Sequence, residues 1–171
     1  MRFSCASFVL VLPTVASAQT VERPLYLELG AFFPNYRGAD FGSDMGIAAG
    51  LGYTFRAEKG LELSGEVRGG FQFIAQGGSG SGGSGDIPEG SLTVSSLGLN
   101  ARYLPAKSKL FGGLGLGYSQ GGREDGPNRS GLVVSVEGGL DLTSRTYLSL
   151  RYQHAEASVL RGTTLSLGYR F

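Results

Sequence analysis

Three residues near one end of the chain, His154, Glu156 and Ser158, are of the types that acyl transfer needs. A base makes a nucleophile of a hydroxyl only where the two side chains lie next to each other. A larger group has a different chemistry. Eleven charged residues, Glu28, Glu62, Glu66, Arg68, Arg102, Lys109, Glu137, Asp141, Arg145, Arg151 and Arg170, share one phase of a two-residue alternation. Enclosed together, such charges must pair, because an isolated buried charge costs several kcal/mol. They would then form a structural ion-pair plug or, alternatively, line a narrow ion path. Gly113, Gly115 and Gly117 have the look of a phosphate loop. A phosphate cradle, however, sets its glycines between a strand and a helix start, whereas these repeat every second residue inside a strand. The Gly/Ser run at 76–85 reads as a flexible loop without aromatic anchors, and Arg123, Glu124 and Asp125 as a solvated tip. No catalytic, cofactor-binding or metal-ligating residue is assigned, and no cofactor is expected.

Composition bounds what can hold these residues. Residues 1–18 read as a secretory signal: Arg2 gives a positive start, 8–12 an apolar stretch, and Ala16, Ser17 and Ala18 a small-residue cleavage site. The mature domain is then 19–171, with 14 basic and 14 acidic residues. A net charge of zero argues against a nucleic-acid partner. Cys5, the only cysteine, leaves with the signal, so disulfides and cysteine-ligated metals are excluded. It is no lipid-attachment site either, because Phe3 and Ser4 precede it. No later apolar run is long enough for a transmembrane helix.

The elements that position the charges are strands. Hydrophobicity alternates with period two over 25–33, 45–55, 61–73, 92–103, 109–120, 132–142, 145–154 and 163–171. In the third, Leu61, Leu63, Val67, Phe71 and Phe73 share one face, and Glu62, Ser64, Glu66, Arg68 and Gln72 the other. Helices are disfavoured because that phase would put acids and apolar side chains on every turn. Across all eight strands the apolar phase carries no Asp, Glu, Lys or Arg. The connections alternate long and short. Turns at 56–60, 104–108 and 143–144 separate loops at 34–44, 74–91, 121–131 and 155–162, the rhythm of an up-and-down barrel with both ends on one side of a membrane. Gly46, Gly50, Gly52, Gly113, Gly115 and Gly117 share the charged phase and leave room for the long charged chains.

Aromatic residues on the apolar phase gather at two levels. Tyr53, Phe55, Tyr103, Tyr169 and Phe171 lie at the ends next to the short turns, and Phe33, Phe71, Phe73, Tyr118 and Tyr152 at the opposite ends. Two such rings are what the two bilayer interfaces select. The strands have the 9–11 residues or more that a tilted transmembrane strand needs. A secreted soluble barrel would also alternate, but with its apolar face inward.

The stretches KLFGGLGLGY at 109–118, LSLRYQH at 148–154 and LSLGYRF at 165–171 resemble the small Gram-negative outer-membrane β-barrel superfamily. That group includes the OmpA transmembrane domain, OmpX and the opacity proteins. The resemblance implies an all-β, eight-stranded antiparallel up-and-down transmembrane barrel in the bacterial outer membrane, in contact with its lipid. It also implies that the assembly machinery reads the last strand through Leu165, Leu167, Tyr169 and Phe171. The stretch around His154 is similar to barrel-type lipid A deacylases, in which a Ser nucleophile follows the strand His by two residues. Here Glu156 occupies that position and Ser158 is displaced into a loop. The expected function is therefore a monomeric, non-enzymatic barrel with a packed charged lumen and a structural or surface-interaction role. The alternatives are a narrow channel and a His154-dependent lipid A hydrolase. One register follows from the tightest turn: with the hairpin of 132–142 and 145–154 centred on Ser144, Glu137 faces Arg151 and Asp141 faces Tyr147.

Overall fold

The computed structural model describes residues 22–35, 45–74, 90–123 and 127–171. The expected signal at 1–18, the Gly/Ser run at 76–85, most of the loop 34–44 and the tip residues Glu124 and Asp125 lie outside the described residues. Eight strands run in chain order: β1 (Leu25–Pro34), β2 (Gly46–Glu58), β3 (Leu61–Ile74), β4 (Gly90–Tyr103), β5 (Leu110–Arg123), β6 (Arg129–Asp141), β7 (Thr146–Ala155) and β8 (Gly162–Arg170). A single 3₁₀ turn, Ser158–Leu160, lies between β7 and β8. Each strand pairs antiparallel with its neighbour in sequence, and β1 pairs with β8 to close the barrel. Closure leaves no sheet edge along the span, which a bilayer requires.

Register follows from the alternation, since a slip of one residue would turn every charge outward. The β6–β7 hairpin pairs Glu137 with Arg151 and Asp141 with Tyr147, as a turn centred on Ser144 demands. The outward face is apolar and bare: Leu132 is 71% exposed, Ile47 68% and Leu114 63%. A soluble barrel would bury these residues, and a surface of this extent is a lipid-facing one. The inward-apolar alternative is thereby overturned.

Three local features differ from the sequence reading. β2 and β3 continue to a two-residue turn, Lys59 and Gly60, both at positive φ (50° and 84°). Such a turn suits the twist of a hairpin, and glycine carries the second position without strain. A bulge between Thr54 and Arg56 displaces Phe55, which is half-buried instead of joining the turn-side aromatic ring. β5 and β6 extend three residues further at the loop end, leaving 124–128 between them. That connection is shorter than the turn 104–109, so the strict long–short rhythm does not hold. The hairpin ladder simply continues to Gly121 and Arg129.

Candidate functional site

The lumen has three layers: a ring of six charges in the middle, a single ion pair toward the short turns and an apolar cluster toward the loops. Glu28 comes from β1, Glu66 and Arg68 from β3, Arg102 from β4, Glu137 from β6 and Arg151 from β7. Their ion pairs close into a ring of alternating sign: Glu28 to Arg102 (2.6 Å), Arg102 to Glu137 (2.8 Å), Glu137 to Arg151 (2.7 Å), Arg151 to Glu66, Glu66 to Arg68 (3.2 Å) and Arg68 back to Glu28. Three carboxylates face three guanidiniums, so the ring is neutral.

Neutral side chains complete it. Tyr147 Oη donates to Glu28 Oε1 (2.6 Å) and Tyr26 Oη to Glu66 Oε2 (3.1 Å). Asn100 Nδ2 donates to Glu137 Oε2 (3.0 Å), and Ser64 Oγ lies 3.2 Å from Tyr26 Oη. Arg102 is the hub. It donates to both oxygens of Glu137, to Glu28 and to Tyr147, and its guanidinium lies against the rings of Tyr26, Tyr147 and Phe111 at 4.8, 5.0 and 5.4 Å. Arginine suits such a position because its planar fork serves several carboxylate oxygens at once.

Below the ring, toward the short turns, Arg170 pairs with Asp141 at 2.9 Å and lies 4.5 Å from the centre of the Tyr147 ring. Above it the lumen is mostly apolar. Phe32, Leu92, Val94, Val133, Ala155 and Leu160 form one buried cluster that closes the loop end. Leu160 arrives on the 3₁₀ turn, and its carbonyl accepts from Gln153 Nε2 (2.8 Å). Gln72 is fully buried, and neither amide atom has a partner. A cavity of about 10 Å³ beside Glu66, Ser96, Arg151 and Gln153 has the size of one water.

Of the eleven charges singled out from the sequence, six make the ring and two the lower pair; the other three stand apart. Glu62 faces the lumen opposite Arg102, but that guanidinium is drawn to Glu137 and Glu28, and Glu62 has no ion pair among the described residues. Lys109 is exposed because β5 begins one residue later, at Leu110. Arg145 is also exposed, in the turn before β7, where it donates to Tyr169 Oη (3.2 Å). The apolar lid was not expected, and it corrects the picture of a lumen charged throughout.

The glycines do more than admit charged chains. Gly50 does lie under Arg68 and Gly113 under Arg102. At Gly52, Gly139, Gly162 and Gly168, a Cβ would meet the rings of Tyr26, Phe111, Phe32 and Tyr147 at 2.0–2.3 Å. Each of these four rings therefore lies over a glycine of the adjoining strand.

His154 is exposed on the outer face opposite Val134, its ring 6.5 Å from that of Tyr152. Among the described residues it makes no hydrogen bond with Ser158 or Glu156. No described group of His, Cys, Asp and Glu is arranged to hold a metal ion. Leu165, Leu167 and Tyr169 all point outward on β8. Phe171, just past its end, donates its amide to Leu25 O (2.9 Å) and meets Tyr169 edge to face at 5.0 Å.

A closed eight-stranded barrel, apolar outside and internally ion-paired, defines an integral outer-membrane β-barrel. The chain belongs to the outer membrane protein beta-barrel domain family, whose model matches residues 4–171. Solved structures share the fold. Ail, the attachment invasion locus protein of Yersinia pestis, is similar in a phospholipid bilayer nanodisc, with 14% identity, a TM-score of 0.57, and 88% of this chain and 100% of that one covered. Its complex with the heparin analogue sucrose octasulfate gives 14% identity and a TM-score of 0.51 over the same shares. Neisserial surface protein A is similar at 17% identity and a TM-score of 0.54, covering 85% of this chain and 95% of that one. No curated protein sequence matches the chain.

Proposed function

We propose that the chain is exported by cleavage after Ala18 and resides in the outer membrane as a monomer. Its lumen is sealed, and its role is exerted at its outer end, in envelope structure or surface interaction. The observation that carries this reading is the neutral ring under an apolar lid. Each Arg of the ring is held by two carboxylates from other positions on the wall. An ion passing through would have to break pairs that are expensive to separate in a dry interior. The displaced Ser158 and the isolated His154 support a non-enzymatic role. The last strand, with Leu165, Leu167, Tyr169 and Phe171 facing outward, suits recognition by the assembly machinery.

The outer connections bear on what is bound. Asp40, Asp44, Asp86, Glu89, Glu124, Asp125 and Glu156 outnumber Arg37, Arg123, Arg129 and Arg161 there and at the adjoining strand ends. That excess of acid repels a polyanion, so the sulfated ligand seen with Ail does not suit this chain. Single-channel recording in planar bilayers tests the reading: no discrete conductance steps are expected from the refolded barrel. Reproducible steps would replace it with the narrow channel. Loss of a deacylated lipid A species in His154→Ala or Ser158→Ala cells would instead establish a hydrolase.

A further inference from the structure

The end of the barrel that carries the short turns is rimmed with cations. Arg23, Arg56, Lys59, Lys107, Lys109 and Arg145 lie there, against Glu22, Glu58 and the lumen-facing Glu62, while Asp141 is taken by Arg170. Of these six cations, only Arg56 is ion-paired among the described residues, to Glu58 at 2.7 Å. The backbone that carries them is tied together round the rim. Leu104 N donates to Gly60 O (2.7 Å), Asp141 N to Lys109 O (2.7 Å) and Arg170 N to Arg145 O (2.7 Å). Lys59 and Lys107 are also the only non-glycine residues at positive φ among the described residues, at 50° and 68°. Asn, Asp or Gly takes such a position at less cost, so turn chemistry alone does not explain a lysine at both.

The aromatic side chains beside these cations set their depth. Tyr53, Tyr103, Tyr169 and Phe171 are exposed on the outer wall at this end, as at a bilayer interface. Leu61 pairs with Tyr103, which puts the turn of Lys59 and Gly60 just beyond that level. Two guanidiniums converge where β8 ends. Arg145 Nη1 donates to the outward Tyr169 Oη (3.2 Å), which draws its side chain onto the lipid-facing wall. Arg23 Nη1 donates to the carbonyl of the preceding residue, Ser144 (2.9 Å). Each of these bonds uses one N–H of a five-donor fork, and neither guanidinium pairs with a carboxylate among the described residues. A phosphate diester satisfies the donors that remain, because one guanidinium serves two of its oxygens at once.

We infer that this rim binds the phosphate groups of anionic phospholipids in the adjoining leaflet, with Arg23 and Arg145 beside Tyr169 as its closest seat. The acyl chains of a lipid held there run along Leu148 and Leu167, which pair with each other and face outward on β7 and β8. Lys59, Lys107 and Lys109 add attraction at headgroup depth. The site lies at the end opposite the loops and needs neither a sealed lumen nor a loop partner. It therefore goes beyond the reading above and can fail independently of it.

The test places the full barrel in phosphatidylcholine vesicles with spin-labelled phosphatidylglycerol or spin-labelled phosphatidylcholine as the probe. Electron paramagnetic resonance reads the fraction of labelled lipid held at the protein. Association of phosphatidylglycerol should exceed that of phosphatidylcholine about threefold at low salt. It should approach equality in about 1 M NaCl, where charges are screened within about 3 Å. Arg23→Gln/Arg145→Gln should lose about half of this preference. Lys59→Asn should lower it too while folding at least as stably, since Asn suits the left-handed turn, a split that a merely structural lysine would not give. Arg129→Gln, exposed at the outer end, should leave the preference unchanged. Equal association of the two lipids at low salt overturns the inference, as does full preference in Arg23→Gln/Arg145→Gln or in Lys59→Asn, or an equal loss in Arg129→Gln. Displacement of the labelled lipid by inorganic phosphate beyond that by chloride at matched ionic strength also overturns it, by making a free anion the occupant.

Discussion

Removing the charge of Glu137 should destabilise the barrel far more than removing the charges of Glu137 and Arg151 together. Glu137 accepts from Asn100, Arg102 and Arg151, and it is 3% exposed. Glu137→Gln keeps the shape but leaves the buried ring with a net charge of +1. Stranding a buried charge in this way costs about 3–5 kcal/mol. With Arg151→Met added the ring is neutral again. Glu66 keeps Arg68 and the Tyr26 hydroxyl, and Arg102 keeps Glu28 and Tyr147. The remaining deficit is a few hydrogen bonds, about 1–2 kcal/mol in total. The double variant should therefore be more stable than Glu137→Gln by about 2 kcal/mol, a coupling typical of residues in one network. With a urea slope of about 2 kcal/mol/M, the midpoint should fall by about 2 M in the single variant and recover by about 1 M in the double. The chain has no Trp, so circular dichroism and the mobility difference between boiled and unboiled samples are the suitable readouts. A double variant as unstable as the two single losses combined would refute the ring as the unit of stability.

Gly168→Ala should lower stability by about 1–3 kcal/mol, because its Cβ would meet Tyr147 Cζ at 2.1 Å and push that ring off Glu28. Gly138→Ala, with nothing within 4 Å of its Cβ, is the matched control and should show no such loss in urea titration. Gln72→Leu should raise the unfolding midpoint, since a fully buried amide without partners is replaced by an apolar side chain amid the lid, a gain of about 1–3 kcal/mol. Deleting Phe171 removes both the terminal aromatic and the bond from its amide to Leu25 O. The protein should then accumulate unassembled in the periplasm, as cell fractionation would show, while the intact mature chain should begin at Gln19 by N-terminal sequencing.

The barrel itself was legible because alternation is a local property. Whether Leu114 or Gly113 faces outward is decided by its immediate neighbours, and register follows once a turn such as Ser144 is located. The partners of the lumen charges were less legible. Glu137 opposite Arg151 is a contact across one hairpin, within reach of turn arithmetic. Arg151 with Glu66, and Arg102 with Glu28, join strands that are not neighbours in sequence, so only the closed cylinder brings them together. Tyr26 and Tyr147 carried no sign of their role, because an inward tyrosine reads as bulk until its hydroxyl finds a carboxylate. Leu160 was missed because it lies outside any strand. The adjacent Val159 and Leu160, an apolar pair in a connection otherwise small or charged, were the signal available.

The order in which the ring acquires its members has a kinetic meaning. Residues of β3 and β4 can be brought side by side as a hairpin, but Glu66 and Arg68 then lack Arg151 and Glu28, which come from β7 and β1. Until β1 meets β8, every partial sheet holds several charges whose partners are still on the far side of the molecule. Such intermediates are poor occupants of a bilayer, because their charges must stay near water at the membrane surface. The last step of closure therefore neutralises the ring and makes the sheet insertable at the same time. Assembly in lipid should thus be all-or-none, with strands crossing the bilayer together instead of one hairpin after another.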